Sequence, residues 1–591
     1  MGGASQPNPS GRVVRSLHKW AIQSLAQSLA PEGPVEWPEG LTPTDTLHLL
    51  AELAQQGHWT SLEPFILRLD VLLAALQVSG ERQVLHRVYQ GLIDAGQPIH
   101  QAHPAALKAR LNPQGHANTN QWRACLNGAS NYAGFLMEAG WFDQARQVWL
   151  ELEIWTRGVT DLSRFRLEVR IQLLQTLSSY CLFDEAETLA QDLLNQLGNR
   201  DPSDERWSVY LRAWLYSALS YNHFAQGHYG AAYDWGRAAV QELHHPDGPP
   251  RIVLDVLCQA SKAYVVKRRF EQAEILVSQA CLYAQEVYGV HHLRYADALM
   301  ALGCYLQNVD SIKKSVQIYH QVLKIRKGVF GSNNVKVALT LEDLAYVTYV
   351  QEYNCGNFAE SRDMAYSALR ILEHRLPKHH LLKASAKRVV ALIIEEMAVD
   401  DTNQTKKQCL LEQAERLHLS SLSLAKAAFG EMNVQTAKHY GNLGRLYQSM
   451  GRFKQAEEKH LKAIDIKEKL LGKDDYEVCL SVGHLASLYN YELKDYDKAE
   501  KLYLRSVRIS ETLFGPAYSE LEYDYRGLIQ LYQQLEDYDK YLEYFHKFEN
   551  WKLLRDRRHE EEERENQNVA AKVRMALPEI VKAVVTEGGP H

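Results

Sequence analysis

The chain has 591 residues, 46% of them hydrophobic and 23% charged, with a formal net charge of −6; this balance reads as a soluble folded protein and excludes a general nucleic-acid binder. No apolar run approaches the roughly 18 residues of a membrane span, and the polar opening MGGASQPNPSGRVVRS has no signal-peptide core. The eight cysteines contain no CxxC pair, so neither a zinc site nor a disulfide scaffold is indicated and reduced, mostly buried thiols are expected.

Residues 1–12 read as a flexible terminus. The next segment, 13–56, contains SLHKWAIQSLAQSLAPEGPVEWPEGL, in which Leu17, Ala21 and Leu25 step along one face of a helix and Trp37-Pro38-Glu39-Gly40-Leu41 follows a proline break. Residues 57–118 read as helical but outside any repeat.

From 119 to 550 a repeat takes over. An aromatic or large aliphatic residue precedes a small one by three positions at Phe142/Ala145, Phe183/Ala186, Tyr229/Ala232, Phe270/Ala273, Ile312/Ser315, Phe358/Ser361, Leu411/Ala414, Phe453/Ala456 and Tyr496/Ala499, with Tyr538/Tyr541 as a tenth, degenerate pair. The steps run from 41 to 53 residues, most of them close to 42. Each unit predicts two helices: a first carrying Leu/Gly/Tyr, as in NLGRLYQSM, and a second opening on the aromatic. The small residue is needed where the two helices cross closely. Gly289, Gly331, Gly430, Gly472 and Gly515 end second helices, where a left-handed residue needs no Cβ. The fold expected is all-α: a right-handed solenoid of about ten tetratricopeptide-like hairpins, longer than the usual 34-residue repeat. The longest step brackets VDDTNQTKKQ, Val399 to Gln408, which reads as an inserted surface loop. Residues 551–591 carry, from Leu554, the run LRDRRHEEEERENQN, a solvated helix face or frayed tail.

No nucleotide, metalloprotease or hydrolase motif is present, so a non-catalytic protein without a cofactor is expected. The pairs His244-His245, His291-His292 and His379-His380 sit in connectors without ligand spacing, and read as turn or capping residues rather than metal ligands. First helices line the groove of such arrays. Glu342 and Asp343, then Lys387 and Arg388, then Lys438, Asn442 and Arg445 occupy the front of three successive ones, and Asp255 and Asp297 match them upstream. An acidic stretch beside a basic one suits an extended peptide bearing a cation and a carboxylate. Lys438, Asn442 and Arg445 read as ligand contacts; the Glu342/Asp343 and Lys387/Arg388 quartet fits either ligand contact or ion pairs between neighbouring helices.

The connectors FGSNNVKVA, FGEMNVQTA and LGKDDYEVC resemble those of kinesin light chains. The stretches QASKAYVVKRRF, LEDLAYVTYV, FGEMNVQTAKHYGNLGRLYQSM, VGHLASLYNYE and LEYDYRGLIQLY, between Arg251 and Trp551, resemble the amyloid protein-binding family of substrate receptors for cullin-2 RING ubiquitin ligases. That resemblance implies docking to elongin C, elongin B, cullin-2 and its RING subunit, recognition of carboxy-terminal degrons of Arg-x-x-Gly type, and a location in cytoplasm and nucleus. It also implies binding of the amyloid precursor protein's cytoplasmic tail and association with microtubules, which frames the alternative of a kinesin-light-chain-like cargo adaptor. Self-association is compatible with either reading. Against this family the opening segment gains a purpose. Ser16, Leu17, Ala21 and Leu25 resemble an elongin-binding box, with Ala in the usual Cys slot. Trp37, Pro38 and Leu41 resemble a cullin-2 box, with Trp in the aliphatic slot.

Overall fold

The computed structural model describes residues 9–29, 37–112, 119–198, 208–244, 248–353, 355–567 and 573–585, and these are helix and connector with no strand among them. The all-α class is therefore as expected. The helix Pro9–Ser28 opens before residue 13, and helices Trp59–Leu67, Leu69–Ala75, Arg82–Asp94 and Ile99–Arg110 fill the region ahead of the repeat. Two units result: Met1–Trp207 with Lys324–Val337, and Ser208–Leu323 with Ala338–His591.

The small residues of the repeat are its most constant feature. Ala145, Ala186, Ala232, Ala273, Ser315, Ser361, Ala414, Ala456 and Ala499 are all 0% exposed, because the partner helix crosses directly over each of them. Some first helices supply a matching hollow. A Cβ placed on Gly303 would lie 2.7 Å from the Tyr319 ring, and one on Gly444 would lie 2.8 Å from the His460 ring.

One expectation is corrected. The surface loop expected at Val399–Gln408 shrinks to residues 400–403: the first helix runs Leu382–Val399 and the second, Gln404–Phe429, is 26 residues long. The Asn403 carboxamide oxygen accepts from the Thr405 and Lys406 amides, both at 3.1 Å, and Asp401 pairs with Lys406 at 2.6 Å. A good N-cap ahead of helix-forming Lys and Gln extends the helix by about two turns, so the insertion is absorbed as helix.

Sequence periodicity gives no hint of how successive coils are joined. In the second unit, the Asn433 carboxamide oxygen caps its own helix by accepting from Gln435 N at 2.7 Å. The same side chain donates to the Gln226 carbonyl at 2.8 Å, across a sequence separation of 207 residues. Five repeats of about 42 residues span that distance, so each hairpin turn meets the connector five hairpins on. Two equivalent joints follow. The Arg268 guanidinium lies 4.4 Å from the Tyr476 ring centroid, and Asp310 accepts from Ser519 N at 3.0 Å and from Ser519 Oγ at 2.8 Å. The first unit repeats the device: Asn334 caps Lys336 N at 2.8 Å and donates to the Ala139 carbonyl at 2.9 Å.

Asn433 therefore carries two separable contributions. Asn433→Asp keeps the cap and loses the donor to Gln226, whereas Asn433→Ala loses both. The expected costs are about 1–2 kcal/mol for Asp and a further ~1 kcal/mol for Ala, read as stepwise lower urea midpoints. An Asn433→Asp chain with the wild-type midpoint would remove the cross-coil bond from the account, and equal midpoints for the two variants would remove the cap.

Candidate functional site

The amino-terminal helix Pro9–Ser28 buries Ile22 and Ala26, and Leu29 just past its end is buried too. Ala21 is exposed and Leu25 half-buried, so positions 21 and 25 lie along the flank of that packed face. Trp20 beside them is 67% exposed. The side chains of Ser16 and Leu17 lie outside the described residues. Downstream, Thr42 and Asp45 form a reciprocal capping box that starts the helix Pro43–Gln55. His18 Nε2 reaches Asp45 at 2.7 Å and ties the two helices together. Trp37 is turned inward, 9% exposed, with its ring 5.0 Å from that of Phe65; Pro38 and Leu41 are half-buried.

The residues expected to line the groove belong to the second unit. Asp255 is engaged by Arg294 at 2.9 Å, and Asp297 is half-buried. Glu342 is buried, and its carboxyl is pushed above the usual range by burial, then by the neighbouring Asp343 charge; Ser385 and Arg388 oppose the shift. Lys387 donates to Ser420 Oγ at 2.8 Å. Arg388 lies 5.2 Å from the Tyr346 ring centroid and donates to Ser385 Oγ at 3.4 Å, and makes no ion pair among the described residues.

Lys438, Asn442 and Arg445 share the helix Val434–Ser449, but their charges are differently committed. Lys438 Nζ lies 2.9 Å from Glu477, which also holds Lys467 at 3.2 Å. Burial opposes the Lys438 charge, yet the Glu477 carboxylate holds its pKa above the ordinary value; Lys467, sharing that carboxylate, is lowered by burial. Arg445 is 3.4 Å from both Glu395 and Glu396. Glu395 is 1% exposed and accepts from Ser449 Oγ at 3.0 Å. Asn442 is half-buried, one turn from each cation, and its amide has no partner among the described residues.

The surroundings of Arg445 contain groups that sequence spacing does not single out. Tyr353, Tyr491 and Tyr523 are 50%, 38% and 39% exposed, and the phenols of Tyr353 and Tyr491 both act on that of Tyr523. The Tyr349 hydroxyl donates to Glu396 at 3.3 Å. Glu520 is open to solvent, but enclosure by the surrounding chain, then the nearby Asp310 charge, lifts its carboxyl to about 7 while Arg445 opposes the shift. The Glu396 and Glu520 carboxylates, one paired guanidinium and a wall of phenols make this surface attractive to a second cation. The legible signal was tyrosine on first helices, as in LEDLAYVTYV, SLYNYE and LEYDY.

Around Arg445 the helices carry His418 and His460, both fully buried with both ring nitrogens lacking partners. Burial, then the Arg445 charge, keeps His460 neutral, with a pKa down at about 3. His292 and His380 accept from Arg294 N at 3.0 Å and from Leu382 N at 3.2 Å, which are capping roles; His245 lies outside the described residues. No metal-holding group of three His, Cys, Asp or Glu occurs among the described residues, and no described helix is long and apolar enough to cross a membrane.

The tetratricopeptide repeat family model matches residues 406–469, and a second model of the same description matches 296–335 and 480–517. Amyloid protein-binding protein 2 of Mus musculus is 45% identical over 513 residues, 86% of each chain. The Rattus norvegicus protein of the same name is 45% identical over 514 residues, again 86% of each chain. Among solved structures, a Rap protein complexed with competence and sporulation factor is 15% identical, with a TM-score of 0.49, covering 66% of this chain and 98% of its own.

Proposed function

This chain belongs to the amyloid protein-binding protein 2 family and is a tetratricopeptide-repeat protein; from that premise we propose that it is the substrate-recognition subunit of a cullin-2 RING ubiquitin ligase. It holds a protein's carboxy-terminal tail in the groove while the RING subunit and charged E2 supply the chemistry, so its own contribution is proximity. The observation that carries this reading is the phenol-and-carboxylate surface around Arg445. Glu396 and Glu520 with Tyr353, Tyr491 and Tyr523 suit the arginine of an Arg-x-x-Gly tail. Arg388 and Asn442, neither committed to an ion pair, suit its terminal carboxylate. The exposed Ala21 and the half-buried Leu25 on the flank of the amino-terminal helix support elongin docking. The inward Trp37 leaves Pro38 and Leu41 as the part of the second box open to cullin-2. The name of the rodent relatives, amyloid protein-binding, is in keeping with the amyloid precursor protein's tail that the family resemblance implies as a further ligand of extended type.

Binding of a fluorescent peptide ending in Arg-x-x-Gly tests the reading. Amidating its carboxy terminus, or Arg388→Glu in the chain, is expected to weaken binding at least ten-fold, without loss of elongin B/C and cullin-2 on co-purification. Leu17→Asp is expected to do the reverse. If the amide binds as well as the acid, the groove assignment fails; if Leu17→Asp retains the ligase subunits, the docking assignment fails. Pelleting with microtubules in the absence of elongins would instead favour a cargo adaptor.

A further inference from the structure

The carboxy-terminal segment does not trail from the last hairpin. Residues 573–585 lie on the outer face formed by two consecutive second helices, Tyr229–Gln241 and Phe270–Tyr288. Gln279, Tyr283 and Glu286 follow one another along one face of the latter helix, and each engages the segment differently. The Gln279 amide reads its backbone twice: Nε2 donates to the Val573 carbonyl at 3.2 Å, and Oε1 accepts from Met575 N at 2.8 Å. Arg574 between them lays its guanidinium 4.6 Å from the Tyr283 ring centroid and reaches Glu286 at 2.7 Å. The chain then turns into the helix Leu577–Val585, whose Leu577, Ile580 and Val584 are 5%, 2% and 3% exposed.

Nothing in the repeat requires this contact, since the earlier second helices complete their hairpins without it. Its parts are those of peptide recognition: two main-chain hydrogen bonds that fix register, an aromatic-and-acid pocket for one cation, and an amphipathic helix on an apolar strip. We propose that the outer face of Tyr229–Gln241 and Phe270–Tyr288 is a peptide-binding site for an extended arginine-bearing strand that runs into an amphipathic helix, and that residues 573–585 occupy it in cis as a tethered ligand. It is separate from the groove and independent of the ligase reading. Tethering by a short connection puts the segment at an effective concentration of the order of millimolar, so a free peptide of the same sequence competes poorly until the resident segment is released.

The experiment uses the full chain and a labelled synthetic peptide of residues 573–585. Ile580→Asp in the chain should release the resident segment, seen as faster hydrogen exchange at the Met575 amide, and should tighten binding of the added wild-type peptide at least ten-fold. Adding Glu286→Arg should abolish that gain, and a peptide carrying Arg574→Glu should restore it. The charge-swapped rescue is the readout that a merely structural contact would not give. The proposal is overturned if Ile580→Asp leaves the exchange of Met575 unchanged, if the released chain binds the peptide no better than wild type, or if Glu286→Arg has no effect on that binding.

Discussion

Arg445→Met is expected to destabilise the second unit by about 3 kcal/mol, with most of that recovered in the double variant Arg445→Met/Glu395→Gln. The cost comes from the partner left behind. Glu395 is 1% exposed and 3.4 Å from the Arg445 guanidinium, and burial already raises its carboxyl while Arg445 is the main opposing influence. Without the guanidinium, the carboxylate must stay charged in a dry site or take up a proton. The folded pKa then rises further above its unfolded value, so the native state binds a proton that the unfolded state does not. Stability of the single variant relative to wild type should therefore fall as pH rises from about 5 to 8, while the Glu395→Gln double variant shows no such trend. Urea midpoints at both pH values check this. An Arg445→Met chain as stable as wild type at pH 8 would show that the guanidinium is free for an incoming carboxylate, the role that spacing alone suggested for it.

That contrast marks where the sequence stops informing. The hairpins were legible because each depends on a local rule: a small residue where helices cross, seen again as 0% exposure from Ala145 to Ala499. Lys438, Asn442 and Arg445 were correctly grouped on one helix, since spacing settles that. Their partners were not legible, because Glu395, Glu396 and Glu477 come from the neighbouring first helices and helix-to-helix rotation decides which side chains meet. The same holds for Trp37, whose box-like spacing gives no sign that Phe65 will take its ring. Contacts across 207 residues, such as Asn433 with Gln226, follow from how tightly the array coils. Asn before Val in SNNV and EMNV was the only trace, and it reads equally as an ordinary cap. The docked segment 573–585 was hidden by the charged run before it, in which Arg555 binds Asp310 and Arg558 the Val309 carbonyl, so the run is not wholly solvated.

A second large effect belongs to Asp524, which lies in the same first-helix layer and contributes to how the second unit responds to alkali. Its side chain is 3% exposed and accepts from Ser506 Oγ at 2.6 Å. Burial lifts its carboxyl from 3.8 to about 8; the Ser506 hydrogen bond opposes the shift and the Glu520 charge adds to it. The native state therefore holds a proton across the window from about 4 to 8 that the unfolded state has lost. Through that window each pH unit removes up to about 1.4 kcal/mol of stability, and the loss levels off above about 8. Asp524→Asn is neutral throughout and nearly isosteric, so it should match wild type below about pH 4, and its advantage should grow by about 3–4 kcal/mol between pH 5 and pH 8. Ser506→Ala, which removes the hydrogen bond favouring the charged form, should push the wild-type loss to still higher pH. A difference between Asp524→Asn and wild type that stays constant from pH 5 to 8 would mean that Asp524 is ionised throughout, held by Ser506 against the cost of burial.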